Sequence, residues 1–163
     1  MAGFTITGID KLMRKLKEME ADAPQIAYDA LDEVGVFLEG KIKKKLGPEG
    51  GERTGKIYAT GKKGERYASH QASAPGQPPA IVSSKLRSSI TYGVEKTADG
   101  AHMEIGPIGE SSDTEKDYAE FLELGTSKMR PRPYLFNTVK ENIGAVVVKV
   151  SNRLRNALGK YKK

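Results

Sequence analysis

The stretch YAEFLELGTSKMRPRPYL, residues 118–135, decides how the second half of this chain folds. Its first part, residues 118–124, is amphipathic and fits either a short helix or a strand. Gly125 ends that element in both cases, because glycine adopts the positive φ of a tight turn at little steric cost. Pro131 and Pro133 then restrict the backbone immediately before the next element. The stretch therefore predicts a rigid corner between two elements of secondary structure.

Downstream of this corner, the sequence predicts a long amphipathic helix from about Pro133 to Leu158. Apolar residues recur there every three or four positions, which is the helical period. They include Leu135, Val139, Ile143, Val150 and Leu154. We expect this stripe to pack on the core, since an amphipathic helix normally turns its apolar side inward. The tail, residues 160–163, is expected to fray.

Upstream of the corner, apolar and polar residues alternate in two short runs, residues 90–94 and residues 101–105. Strict alternation is typical of a strand with one buried face. Between the runs, Ala98-Asp99-Gly100 has the composition of a tight turn. The pattern predicts a β-hairpin.

The N-terminal region predicts a short strand, residues 4–7, followed by two helices. The first helix begins at Asp10 and is interrupted by Pro24, because proline inside a helix removes a backbone hydrogen bond. The second is predicted from about Ala23 to Leu46, with Asp22 as its N-cap and Pro24 in its first turn. Its apolar stripe consists of Ile26, Ala27, Ala30, Val34, Leu38 and Ile42.

Residues 47–83 show no apolar periodicity and are rich in glycine and proline. A long segment without secondary structure is either functional or disordered, and we predict a mobile loop here. The whole chain, residues 1–163, is then predicted to be a single α+β domain. Two long amphipathic helices, N-terminal and C-terminal, are predicted to pack on a small antiparallel sheet. The long flexible Gly/Pro loop follows the N-terminal helix.

Composition and charge narrow the function classes. The chain has no cysteine, which excludes disulfides and Cys-based zinc sites, and no apolar run is long enough to span a bilayer. Its N-terminus lacks the pattern of a secretory signal, so we expect a cytosolic product. The net charge of +6 divides into blocks of −4, +8, −7 and +9 for residues 1–40, 41–90, 91–125 and 126–163. Alternating blocks suit contacts between complementary surfaces, although such blocks are also common on solvated faces.

No catalytic, cofactor-binding or metal site is predicted. His70 and His102 lack other metal ligands at helical or hairpin spacing. The acidic group Asp117, Glu120 and Glu123 lies beside basic residues, so ion pairing is the expected role rather than acid–base catalysis. The glycine-rich segment GPEGGERTGK follows no apolar strand, and its lysine is followed by isoleucine rather than serine or threonine, unlike a phosphate-binding loop.

Two stretches resemble one known family. Residues 118–135 closely resemble the signature of the small tail-completion and head–tail joining proteins of long-tailed bacteriophages, the gene-product-ten family of lambdoid phages, which includes the minor tail protein Z of lambda. The matching positions are Tyr118, Ala119, Phe121, Glu123, Gly125, Thr126, Lys128, Met129, Arg132, Pro133, Tyr134 and Leu135. Residues 70–90, HQASAPGQPPAIVSSKLRSSI, are similar to the family's Ala-Pro-Gly-x-Pro-Pro stretch and its Leu-x-x-Ser-Ile strand. Ser83-Ser84 departs from the Thr-Gly often found there.

The resemblance implies a structural virion protein of the phage neck, made in the host cytoplasm and incorporated at the head-proximal end of the tail. It would work as a ring of its own copies, with six as the expected number, around the DNA channel. Its implied partners are tail-terminator or head–tail connector proteins, with non-specific DNA contact and with neither a cofactor nor a membrane.

The corner also supplies the candidate interface. Its charged and polar residues are expected at subunit or partner contacts: Glu120, Glu123, Thr126, Lys128, Arg130 and Arg132. The pair Glu123 and Arg132 is expected to matter for assembly more than for folding, or else to pair within one subunit and brace the last helix. In the loop, Lys62, Lys63 and Arg66 are expected to face the DNA channel. A basic nucleic-acid-binding module is the alternative function, and a small hydrolase using Glu120 and Glu123 is the remote one.

Overall fold

The computed structural model describes residues 9–47, 57–60, 68–80, 85–108 and 113–161. The helices are α1 (Ile9–Lys45), α2 (Lys85–Ser89), α3 (Asp113–Leu124) and α4 (Leu135–Gly159). The strands are β1 (Ile57–Thr60), β2 (Ala68–Gln71), β3 (Ile90–Thr97) and β4 (Gly100–Pro107). The predicted α+β class is confirmed. The strand predicted at residues 4–7 and the residues Lys62, Lys63, Arg66 and Ser83-Ser84 lie outside the described parts.

The predicted central hairpin is confirmed. Strands β3 and β4 pair antiparallel, in a register that runs from Ile90 opposite Pro107 to Thr97 opposite Gly100. The connecting residues are Ala98 and Asp99, as the turn composition indicated. Ile90 is fully buried, whereas residues 95–97 near the turn are exposed.

The Gly/Pro segment is not without secondary structure, so that part of the prediction is wrong. Strands β1 and β2 pair antiparallel, from Ile57 opposite Gln71 to Thr60 opposite Ala68. Such a pair is held by backbone hydrogen bonds and needs no apolar alternation, which is why the sequence pattern did not show it. The mobility of residues 47–83 stays a prediction.

Helix α1 is continuous, so the predicted break at Pro24 is wrong. It runs for 37 residues with Pro24 inside it, a length of about 55 Å. Contacts from the end of the chain support the turns before the proline. The Lys15 ammonium donates to the Tyr161 carbonyl (3.2 Å), and the Tyr161 hydroxyl bonds to the Glu18 carbonyl (3.4 Å).

The first two residues of the tail that was predicted to fray make contacts with α1, and fraying stays a prediction. Lys160 and Tyr161 both bond to the carboxylate of Asp22. The hydrogen bond from Lys160 lowers the pKa of Asp22, which shows that the carboxylate is favoured in its charged form. Residues 162–163 lie outside the described residues.

The core lies between the C-terminal half of α1, the hairpin and the corner. Its central cluster consists of Ile42, Leu46, Ile90, Leu122 and Tyr134. The predicted stripe of α1 is buried at Ala30, Val34, Leu38 and Ile42, because these positions recur at four-residue intervals and share one side of the helix.

Helix α1 packs closely against the hairpin at Gly35. A methyl group built on Gly35 would lie 2.2 Å from the ring of Tyr92. The ring is held in place, since its hydroxyl donates to the Asp32 carboxylate at 2.9 Å. That bond raises the pKa of Tyr92. Only glycine fits at position 35 without displacing the ring.

Helix α4 does not pack as the sequence analysis expected. Leu135 contacts the core and Val139 is half-buried, but Ile143 is 54% exposed and Leu154 is 38% exposed. The buried residue of this helix is Thr138, a polar one. The prediction that the whole stripe faces the core is therefore wrong beyond its first turns.

Polar contacts attach α4 to α1 instead. Three ion pairs join the helices: Lys45 to Glu141 at 2.5 Å, Glu33 to Lys149 at 2.9 Å and Asp29 to Arg153 at 2.8 Å. The Lys149 ammonium also lies 5.3 Å from the centre of the Phe37 ring. The hydrogen bond from Arg153 lowers the pKa of Asp29. The side of α4 that faces its own domain is thus its charged side.

The opposite side of α4 is apolar and exposed. Residues two positions apart in a helix point about 200° away from each other, so Val147 and Lys149 face nearly opposite directions. We call this exposed side the outer face of α4. Its large residues, each between 38% and 65% exposed, are Phe136, Ile143, Val147, Val148, Leu154 and Leu158.

We predict that Gly35→Ala lowers the free energy of unfolding by about 1–3 kcal/mol, because the added methyl group overpacks against the fixed Tyr92 ring. Gly40→Ala is the matched control in the same helix. No atom lies within 4 Å of a methyl group built there, and the change should stabilise the chain by about 0.5–1 kcal/mol through helix propensity. Urea denaturation measures both. Equal effects of the two variants would contradict the close packing.

Candidate functional site

The corner between α3 and α4 begins with a turn that requires glycine. Gly125 has a φ of 80°, and its amide donates to the Phe121 carbonyl at 2.9 Å. A methyl group on Gly125 would lie 2.8 Å from the carbonyl oxygen of Met129. Both the conformation and the crowding therefore exclude larger residues, as the sequence analysis predicted for this position.

The next residues, 126–129, form a tight loop that hydrogen bonds to Thr126 hold closed. The backbones of Thr126 and Met129 exchange hydrogen bonds of 2.8 and 3.2 Å. The Thr126 hydroxyl also accepts from the amides of Lys128 (3.2 Å) and Met129 (3.1 Å). Lys128 and Arg130 are exposed on this loop. Their backbone is fixed, so the points from which their side chains project are defined.

Glu123 caps helix α4 from the preceding helix. Its carboxylate accepts hydrogen bonds from the amides of Tyr134 (2.9 Å), Leu135 (3.0 Å) and Phe136 (2.8 Å). The N-cap residue Tyr134 makes no side-chain capping bond itself. A carboxylate at a helix N-terminus satisfies free amides and interacts favourably with the helix dipole. Glu123 therefore sets the position of α4 relative to α3.

Tyr134 occupies the space directly beneath this cap. Its side chain belongs to the core cluster, and the residue is fully buried. Burial, and then the charge of Glu123, raise the pKa of the Tyr134 phenol far above its ordinary value. The phenol stays neutral, as a buried group beside a carboxylate must.

Arg132 is held inside the corner. It is only 9% exposed, and its guanidinium Nε donates to the Ser73 carbonyl at 3.2 Å. Its amide donates to the Leu122 carbonyl at 2.7 Å. The long apolar stem of arginine is well suited to such a buried position when the head finds an acceptor.

This arrangement corrects the predicted Glu123–Arg132 pair. No ion pair joins the two residues: Glu123 binds backbone amides, and Arg132 binds a backbone carbonyl. Both act within the chain. Their opposite charges suggested a pair, but the geometry of the corner gives each a backbone partner. The alternative that they pair with each other within one subunit is therefore wrong as well, although each residue separately stabilises the corner, and a part in assembly stays a prediction.

The segment that follows β2, residues 72–80, lies against the corner. Ala72 and Ser73 are buried, and the amide of Gly76 donates to the Pro131 carbonyl at 2.9 Å. Gly76 has a φ of 82°, so glycine is favoured there. This contact between residues 72–80 and the corner was not predicted from the sequence. The only feature of the sequence that could have indicated this contact is that residues 75–79 and residues 131–133 are both rich in proline.

Three of the predicted interface residues besides Lys128 are exposed as expected: Glu120, Thr126 and Arg130. Within the described residues, no ion pair engages Glu120, Lys128 or Arg130. Acidic and basic surface groups therefore flank the same corner, α3 carrying the first and the loop the second. Their assignment to an interface stays a prediction.

Helix α3 presents a feature that the sequence analysis did not single out. Tyr118, Phe121 and Leu124 are 48%, 47% and 69% exposed, next to Glu120. Aromatic residues half in solvent are enriched at protein interfaces. The signal for them was the helical spacing of residues 118, 121 and 124, which becomes visible once the segment is known to be a helix.

Other candidate sites contribute little. His102 is exposed on β4, with its Nε2 3.5 Å from the Glu104 carboxylate. Among the residues that the structure describes, no group of three or more His, Asp or Glu side chains is placed to hold a metal ion. No described helix is both long and apolar enough to cross a membrane.

No protein-family model, curated protein or solved structure matches the chain.

We predict that Glu123→Ala lowers the free energy of unfolding by about 1–3 kcal/mol, because three amides at the start of α4 lose their acceptor. Glu123→Gln keeps one acceptor oxygen and should lose less. Glu120→Ala, an exposed change in the same helix, is the control and should stay within about 0.5 kcal/mol of the parent. Thermal and urea denaturation test this. A neutral Glu123→Ala would show that the cap contributes nothing.

We further predict that Arg132→Glu destabilises the chain strongly, by about 3 kcal/mol or more, because it places a carboxylate against the Ser73 carbonyl in a buried site. Arg130→Glu makes the same charge change on the exposed loop and should leave the melting temperature nearly unchanged. Circular dichroism during heating compares them. Equal melting temperatures of the two variants would show that Arg132 does not stabilise the fold, and would support the interface role that the sequence predicts for it.

Proposed function

We propose that this chain is a structural assembly protein of a long-tailed bacteriophage, acting in tail completion or head–tail joining. It would close into a ring of its own copies at the neck, around the DNA channel, against a tail-terminator or connector protein. The resemblance of residues 118–135 and 70–90 to that family suggests that the assembly is part of a long-tailed bacteriophage. The physical properties of the surface support an assembly role on their own.

One observation carries the proposal. Three helices of the isolated chain expose large apolar side chains: α1 near its start, α3 beside Glu120, and α4 along its outer face. A monomeric protein rarely exposes apolar patches beyond a few hundred Å². Surface of this kind on three separate elements is typical of a subunit that becomes buried among neighbours.

The corner explains how such a subunit would find its neighbours. The cap from Glu123, the Gly125 turn and the buried Arg132 make the backbone from α3 to α4 rigid. Rigid surfaces lose little conformational entropy on binding. The exposed charges of Glu120 on one side and of Lys128 and Arg130 on the other are of opposite sign. Complementary charges fix register and orientation in a head-to-tail contact.

The alternative is a nucleic-acid-binding module, which the +8 and +9 blocks favour. Several cations of these blocks are already engaged within the chain, among them Lys45, Lys149 and Arg153. Paired cations contribute less to phosphate binding than free ones, so the net charge overstates the affinity for DNA.

We expect the purified chain to form closed oligomers of one size as its concentration rises, with or without DNA. Size-exclusion chromatography with light scattering, at low and moderate salt, measures this, and electron microscopy shows whether the oligomers are rings. The double variant Lys128→Glu with Arg130→Glu should stay folded but assemble less well. Lys85→Glu with Arg87→Glu, an equal charge change at exposed positions of α2, is its control. A chain that stays monomeric and is retained by DNA would favour the nucleic-acid module.

A further inference from the structure

The outer face of α4 has the spacing of a helix-packing surface. Ile143, Val147 and Leu154, with the half-buried Val150 at the edge of the face, follow at intervals of four, three and four residues, and Phe136 lies one heptad before Ile143. This repeat is the pattern by which one helix packs along another. Gly144 and Ser151 are small and exposed on its flank, which allows a second helix to approach closely.

From Ile143 to Leu154 the charges of α4 lie away from this face, and Lys140, one heptad before Val147, is the charged residue at its beginning. Between residues 141 and 153 the charged residues are Glu141, Lys149 and Arg153, and all three pair with α1. Depletion of charge is the compositional mark of an interface core. A face that only met solvent would have no reason to lack charge over three helical turns.

The exposed apolar area is large for a free helix. Six side chains, each about half exposed, present on the order of 500 Å² of apolar surface, against about 800 Å² per partner in a specific interface. On its other side, α4 is attached mainly by ion pairs that are 25–59% exposed. Such exposed pairs contribute little each. The helix therefore has more to gain from a partner than it has from its own domain.

A matching surface exists on the same chain. The start of α1 repeats apolar residues at intervals of three and four, which we call the α1 seam: Ile9, Leu12, Leu16, Met19, Ala23 and Ile26. Ile9, Leu12 and Leu16 are 52%, 57% and 47% exposed. The end of the hairpin meets α1 around Ala27, whose Cβ lies 3.9 Å from a methyl group built on Gly100, and at Gln25, whose side-chain oxygen accepts from Lys96. The seam thus extends beyond the hairpin.

We propose that the α1 seam of one copy packs along the outer face of α4 of a second copy. This inference rests on the self-association proposed above and names the surfaces that produce it. The partner cannot be the chain's own α1, because that helix already contacts the charged side of α4. The two surfaces match in length, about 27 Å for residues 9–26 and about 34 Å for residues 136–158.

The geometry of this contact suits a ring. Each copy carries both surfaces on different sides, so the contact is head-to-tail and leaves one free surface at each end of a row. A head-to-tail contact closes into a ring when its rotation divides the circle. A twofold contact of α4 with another α4, or of α4 with the exposed aromatics of α3, would bury different pairs of residues.

Cysteine trapping tests the proposal directly, since the chain has no cysteine of its own. Full-length Leu12→Cys is mixed with size-tagged Ile143→Cys, Val147→Cys or Leu154→Cys, and the mixtures are oxidised and separated on non-reducing gels. We expect at least one pair to form mixed dimers about fivefold or more in excess of the control pair, because contact raises the effective concentration. The control joins Leu12→Cys with Thr97→Cys, which is exposed on the hairpin.

A charge substitution gives the second measurement. Val147→Glu should weaken self-association about tenfold or more, since it places a carboxylate in an apolar contact. Asn152→Glu, exposed on α4 but off the outer face, should change it by less than about twofold. Both variants should melt like the parent protein in the monomeric state.

Each other outcome has a defined meaning. Oligomers that persist in Val147→Glu, with trapping at the control level, would overturn this inference and leave the proposed assembly function standing. A chain that neither oligomerises nor traps would overturn both. A lowered melting temperature of monomeric Val147→Glu would show that the chain covers the face itself. Trapping of Val147→Cys with itself or with Phe121→Cys in place of Leu12→Cys would assign the face to a different contact.

Discussion

The carboxylate of Glu123 connects the two halves of the corner, and the course of α4 depends on it. It supplies the cap that the first turn of α4 lacks, from a helix that ends one residue later. With Gly125 allowing the sharp turn and Arg132 fixing the segment behind it, α4 has one available direction along α1. Which of its sides faces inward is then decided by its contacts with α1.

Helix α4 divides its roles between its two sides. The charged side makes ion pairs with α1 and sets the distance and rotation of the helix. The apolar side takes no part in the core of the single chain. This is the reverse of an ordinary surface helix, in which the apolar side drives folding and the polar side meets water. In the proposed assembly, this apolar side would be buried against a neighbouring copy.

The sequence was sufficient where local geometry decides the structure. Alternation located the hairpin, and the need for a positive φ located the end of α3 at Gly125. The helical period placed the ends of α4 within two residues. Prediction from the sequence failed where the contact that decides the structure joins residues far apart in the chain. The continuity of α1 through Pro24 depends on residues near the C-terminus, and strands β1 and β2 depend on backbone pairing that leaves no mark in side-chain pattern.

The candidate site was predictable in part for a related reason. The corner was recognisable as a rigid turn with exposed Lys128 and Arg130. Charge signs alone suggested that Glu123 and Arg132 would meet, whereas backbone amides and a backbone carbonyl outcompete that pair. Periodicity likewise reveals that α4 has an apolar side. It does not reveal whether the side belongs to the chain's own core or to another molecule.

Pro24 gives the longest helix a weak point, since the carbonyl four residues earlier lacks its amide donor. Lys160 and Tyr161 bond to Lys15, Glu18 and Asp22 before this point, and Arg153 of α4 pairs with Asp29 after it. The last turns of α4 and the two residues that follow them thus hold the two parts of α1 together across the proline. The first helix of the chain is stabilised by residues from near its other terminus, and loss of those contacts would leave Pro24 as a hinge.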